Sequence, residues 1–143
     1  MTPTASLVTV GTELPARVIE LTPTFVISTA VASRDFEDVH HDADAARRAG
    51  LDNVFLNILA TSGLCQQCVT DWAGSHTIIE KASVRLGLPA IAGDTLTLTG
   101  SVQSAEPADD GRQRLEIAVT ATVSNGTHAT AAITCTIPLE DAP

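Results

Sequence analysis

After Arg34 the chain reads DFEDVHHDADAA, which sets five carboxylates and two adjacent histidines in twelve positions. Three kinds of chemistry can use such a run. A metal centre needs several convergent ligands at fixed geometry. Asp35, Asp38, His40, His41 and Asp42 are of suitable types, but neighbouring histidines point apart on a strand and lie about 100° apart on a helix. His76 and His128 stand alone elsewhere, so no second ligand set appears and no metal is expected. An acid–base pair needs one carboxylate and one imidazole on the same solvent molecule. Asp35 and His40 are the candidates. Five positions apart, they would diverge by about 140° on a helix and occupy opposite faces of a strand. Only a bend between them brings them together. The third possibility is an acidic surface turn, with Asp42 capping a short helix and the remaining charges in water. Residue types alone leave the pair and the turn open.

The elements that must position these groups follow from hydrophobic periodicity. Residues 16–21, ARVIEL, form a short strand between Pro15 and Pro23. Residues 24–33 are ambiguous: β-branched content favours a strand, while Thr24 behind Pro23 can open a helix. Residues 43–49 form a short helix ended by Gly50. Residues 54–73 form the one long helix, with Asn53 as its cap and Gly74 just past its end. Phe55, Ile58, Ser62, Cys65, Val69 and Trp72 recur at helical spacing, and Val54, Leu56, Leu59 and Leu64 widen the stripe. A helix so apolar must be buried or wrapped. From residue 78 the period falls to two, through Ala82–Val84–Leu86, Leu96–Leu98, Leu115 to Val123 and Ala129 to Ile137. Asn125-Gly126 marks a hairpin, and residues 106–111 and 89–93 mark further breaks. The sum is an α+β chain in which an antiparallel meander of four long strands wraps one long central helix. Its free sheet edges favour association with another chain.

Composition narrows the function. The 143 residues suit one domain, 1–143, with its core between about residues 10 and 138. The chain is 44% hydrophobic with a formal charge of −9, which argues against nucleic acid and anionic membrane surfaces as partners. The first residues lack the basic and apolar segments of a signal peptide. The longest apolar region, 54–73, is interrupted by Asn57, Gln66, Gln67 and Asp71 and is no membrane span. An odd cysteine count, three, fits a reducing cytoplasm. Cys65-Gln-Gln-Cys68 has a redox spacing but falls mid-helix on an apolar stripe, which points to core packing. The first dozen residues and the last five are expected to fray.

SRDFEDVHHDADAARRAG, residues 33–50, resembles the hydratase motif of the MaoC-like (R)-specific enoyl-CoA hydratase family, whose core is D-x-N-P-x-H. LGLPAIAGDTL, residues 86–96, resembles a strand-turn-strand of the same family. STAVASRDFEDVHHD, FLNILATSGL and VTDWAG are similar to the small MaoC-like subunit of the actinobacterial two-component hydratase of steroid side-chain degradation. The departures are Glu37-Asp38 in place of Asn-Pro, and Asn57 near the point where the family has a glycine.

The resemblance implies the hot-dog fold and addition of water to a 2-enoyl-CoA thioester of steroid type, in a heteromer (a heterotetramer) with a second MaoC-like hot-dog subunit. It implies no cofactor, the CoA thioester being substrate. Asp35 and His40 would share the water, with Asp35 as the base and the partner group returning a proton to the α-carbon. Backbone N–H groups around Leu56 and Asn57 would meet the thioester oxygen, and Ser33 and Arg34 would shape the substrate site. His41 would point away and Asp42 would cap the following helix. Two other readings remain: a homodimeric hydratase or dehydratase of fatty acyl thioesters, and a binding subunit whose partner holds the chemistry.

Overall fold

Threonine-rich alternation from residue 78 onward does become sheet, but in an order the sequence did not dictate. The computed structural model describes residues 7–139. The elements in chain order are β1 (Glu13–Glu20), α1 (Pro23–Ala32), a 3-10 turn (Asp38–His40), α2 (Ala43–Arg48), α3 (Ile58–Ala73), β2 (Ile78–Leu86), β3 (Thr95–Ala108), β4 (Arg112–Val123) and β5 (Gly126–Pro138). One five-stranded sheet has the order β1-β3-β4-β5-β2, with every neighbour antiparallel. The meander expected of four strands therefore holds for three. β2 lies at the far edge beside β5, because the segment after it leaves the sheet: Ile91 bridges Phe55 in a short ladder of its own.

α3 lies across one face of the sheet and touches all five strands. Its Leu64, Cys65, Cys68, Val69 and Ala73 join Leu96, Leu98, Val102, Leu115, Ile117 and Ile133 in one apolar cluster. Among the described residues only one side of α3 is covered. Ile58 and Leu59 remain 48% and 55% exposed, so the wrapping expected of so apolar a helix is incomplete.

Two local expectations are corrected and one ambiguity is resolved. The long helix begins at Ile58, not residue 54, because Val54 and Leu56 are drawn into extended pairing with Ala92 and Ala90. Asn53 therefore caps nothing, and Asn57 takes that position. Residues 24–33, ambiguous in sequence, are helical: the Thr22 hydroxyl accepts the Phe25 N–H at 3.0 Å, and Pro23 occupies the first turn, where a missing N–H costs nothing. Residues 7–12, expected to fray, are anchored. The buried Gln113 amide accepts the Val8 N–H and donates to its carbonyl, at 3.1 and 2.8 Å. At the other end the Leu139 N–H donates to the Gly111 carbonyl. The rest of both expected frays, residues 1–6 and 140–143, lies outside the described residues. No helix among the described residues is long and apolar enough to cross a membrane.

Candidate active site

Asp35 is delivered by the way α1 stops. The Arg34 N–H donates to the Val31 carbonyl at 3.1 Å and the Asp35 N–H to the Ala30 carbonyl at 3.0 Å, the paired bonds of a Schellman ending. That ending needs a left-handed residue, and Arg34 supplies it at φ 56°, a conformation in which glycine is usual. The chain then reverses. The Glu37 N–H approaches Asp35 Oδ1 at 3.3 Å, and the 3-10 turn 38–40 carries His40 back toward the carboxylate. The bend that the sequence required is thus a helix stop followed by one tight turn.

His40 is 8% exposed, and its ring edge rests on Phe55 with centroids 4.7 Å apart. Its Nδ1 lies 2.8 Å from the Phe55 carbonyl oxygen. A carbonyl can only accept, so Nδ1 carries the proton and neutral His40 presents a lone pair at Nε2. That Nε2 is 3.6 Å from Asp35 Oδ2. With the ring neutral both atoms are acceptors, and one water can donate a hydrogen to each.

Asn57 ties this pair to α3. Its side chain is buried, and Oδ1 accepts the Ala60 N–H at 2.7 Å. Nδ2 donates to Asp35 Oδ2 at 2.9 Å and to Ser33 Oγ at 2.8 Å. The Ser33 hydroxyl in turn donates to the Thr29 carbonyl at 2.7 Å. Ser33 thereby joins the end of α1 to the start of α3. Arg34 acts through its backbone: its guanidinium makes no hydrogen bond or ion pair among the described residues.

The expectation for Leu56 is overturned. Its N–H is committed to the Ala90 carbonyl at 3.0 Å, and its side chain is buried. The N–H groups lacking an intrahelical acceptor belong one step later, to Asn57, Ile58 and Leu59 in the first turn of α3.

The remaining charged residues divide as the sequence suggests. His41 turns away and reaches the Phe36 carbonyl at 3.2 Å. Asp42 caps α2 through the Asp44 and Ala45 N–H groups, which hold its carboxyl below the usual range. Cys65 and Cys68 are buried free thiols, and burial pushes Cys65 up to about 11. Among the described residues no group of three or more His, Cys, Asp or Glu is disposed to hold a metal.

Sequence reasoning missed one polar contact in the core. His128 is 2% exposed and meets Thr61 of α3. Strict alternation along β5 puts it on the opposite face from Ala129, and only a bulge changes that.

No family model matches the chain. The chain is 43% identical over 124 residues to the 3-oxo-4,17-pregnadiene-20-carboxyl-CoA hydratase beta subunit of Mycobacterium tuberculosis, covering 87% of this chain and 92% of that protein. It superposes with a TM-score of 0.83 and 41% identity on a chain of the ChsH1-ChsH2 complex from the same organism, over 90% of this chain and 98% of the other. An (R)-hydratase of A. caviae involved in PHA biosynthesis shares the fold at a TM-score of 0.79 and 19% identity, over 92% and 98% of the two chains.

Proposed function

The chain belongs to the MaoC-like (R)-specific enoyl-CoA hydratase family, and from that premise we propose that it is the catalytic small subunit of a heteromeric hydratase. Its substrate would be a 2-enoyl-CoA thioester carrying a steroid side chain, and its partner a second hot-dog subunit. The observation that carries this reading is the 3.6 Å approach of His40 Nε2 to Asp35 Oδ2 in a turn buried on one side and open on the other. The named activity and assembly of the relatives supply the substrate class and the second chain. The exposed apolar start of α3, Ile58 and Leu59, is where a second chain or a bulky acyl group would complete the wall.

The reaction runs as follows in this reading. A water donates one hydrogen to His40 Nε2 and the other to Asp35, which turns an oxygen lone pair toward the β-carbon. Asp35 takes the proton as the C–O bond forms. Because Nδ1 holds the only proton of neutral His40, Nε2 has none to give. The proton that reaches the α-carbon is then the one Asp35 has just accepted, and the sum is one water added across the double bond. Negative charge that builds on the thioester oxygen meets the first-turn N–H groups of α3, at the positive end of its dipole. One such donor is worth about 3–4 kcal/mol of barrier. No resident cofactor or metal enters any step of this proposal.

The test is the complex purified with its partner and assayed with the enoyl thioester named for its relative. Asp35→Asn keeps the shape and removes the base, and should lower kcat by about 10²–10⁴ with an unchanged melting profile. A variant complex that hydrates at the wild-type rate would end the catalytic assignment and leave a binding subunit. Full activity of this chain without a partner would favour the homodimeric reading.

A further inference from the structure

β4 and β5 pair in register except at one point. Ala121 faces Ala129 but Thr122 faces Thr127, so His128 is an extra residue in β5. A bulge re-aims the side chain it carries, and here it turns an imidazole into the core. His128 Nδ1 lies 2.6 Å from the Leu88 carbonyl and Nε2 lies 2.8 Å from Thr61 Oγ1. The carbonyl fixes the proton on Nδ1, so the Thr61 hydroxyl donates to Nε2. Both ring nitrogens are used, and neither contact serves the sheet.

Each contact leads to one member of the acid–histidine pair. Through Leu88 the ring holds the segment 87–92, which is also pinned by the Gly87 and Leu88 N–H groups to the carbonyls of His128 and Thr127. That segment pairs with residues 54–56: Leu56 N–H to the Ala90 carbonyl at 3.0 Å, and Ala92 N–H to the Val54 carbonyl at 2.8 Å. Between these bonds lies Phe55, whose carbonyl fixes His40. Through Thr61 the ring holds the first turn of α3. The Thr61 N–H donates to the Asn57 carbonyl, and the Asn57 amide holds Asp35. We propose that His128 is a positioning residue for the reaction: one buried imidazole braces a loop arm that ends at His40 and a helix arm that ends at Asp35.

The kinetic part of this inference rests on the hydratase reading; the mechanical part does not. His128→Asn places an amide where Nδ1 was and keeps the loop arm. His128→Gln reaches the place of Nε2 and keeps the helix arm. In the assembled complex, His128→Gln should lower kcat about tenfold or more, since small displacements of reacting groups are costly, with KM within about twofold. His128→Asn keeps the loop but releases Thr61, so it should lower kcat as well, by about threefold or more, with exchange accelerating at the Thr61 amide instead. Hydrogen exchange at the Leu56 and Ala92 amides should accelerate about tenfold in His128→Gln and hardly change in His128→Asn. Unchanged kcat in either variant, the same pattern of exchange in both, or losses that merely track global stability, would overturn the brace. An inactive wild-type complex would overturn the hydratase reading alone, and exchange at the two amides would still decide this one.

Discussion

Asn57 joins a structural duty to a chemical one through a single amide. Its oxygen caps α3 and its nitrogen holds Asp35. The two duties separate on substitution. Asn57→Asp keeps a good cap but sets a second carboxylate where the Asp35 oxygen expects a donor. The helix should survive, with a melting temperature close to wild type, while kcat falls about tenfold or more; steady-state kinetics beside thermal denaturation checks both. Arg34 is the converse case, a side chain without a polar partner among the described residues on a backbone that favours another residue. The left-handed conformation costs a non-glycine residue about 1–2 kcal/mol, partly offset by the entropy glycine loses on folding. Arg34→Gly should therefore stabilise the fold by up to about 1 kcal/mol, read as a higher urea midpoint. A lower midpoint would mean that the arginine makes contacts its exposure conceals.

The elements were legible where a pattern is local, and obscure where a distant partner decides. The strands announce themselves through alternation such as Leu115–Ile117–Val119–Ala121, all buried. Asp35 and His40 were legible as residue types, but their convergence depends on a helix stop at Arg34 that glycine-based rules do not flag. The start of α3 was misplaced by four residues because Val54 and Leu56 satisfy their backbones with Ala92 and Ala90, far along the chain. His128 was invisible for a similar reason: a bulge breaks the alternation used to read a strand. The loop it grips leaves a mark, however. A Cβ on Gly87 would sit 2.7 Å from the Thr127 carbonyl oxygen, too close for any side chain. Gly87→Ala should push the loop off β5 and destabilise the protein by about 1–3 kcal/mol, with amide exchange rising first at Leu88.

For the molecule as a whole, acid should weaken folding in a window set by His128. Burial holds its pKa below the ordinary 6.5, so the folded state keeps the ring neutral while the unfolded chain protonates it. Unfolding then takes up a proton, and stability falls as pH drops below about 6.5 toward the folded value. The denaturation midpoint should decline between pH 7 and pH 5, and decline less in His128→Asn. The thiols give a second global signature. Burial pushes Cys65 and Cys135 up to about 11 and raises Cys68 as well, so a thiol reagent should label none of them in the native protein and all three in denaturant. Assembly belongs at this scale too. β1 and β2 are both sheet edges, and β2 exposes Ile78 and Leu86 along its length, a surface that suits a neighbour better than water.

Both groups assigned to the chemistry ride on one short excursion between α1 and α2, while the sheet contributes neither. A duplicated gene can therefore lose the acid and the imidazole in two substitutions and still encode a sound scaffold. Evolution is free to keep one working copy and reshape its twin as an empty chamber for larger cargo.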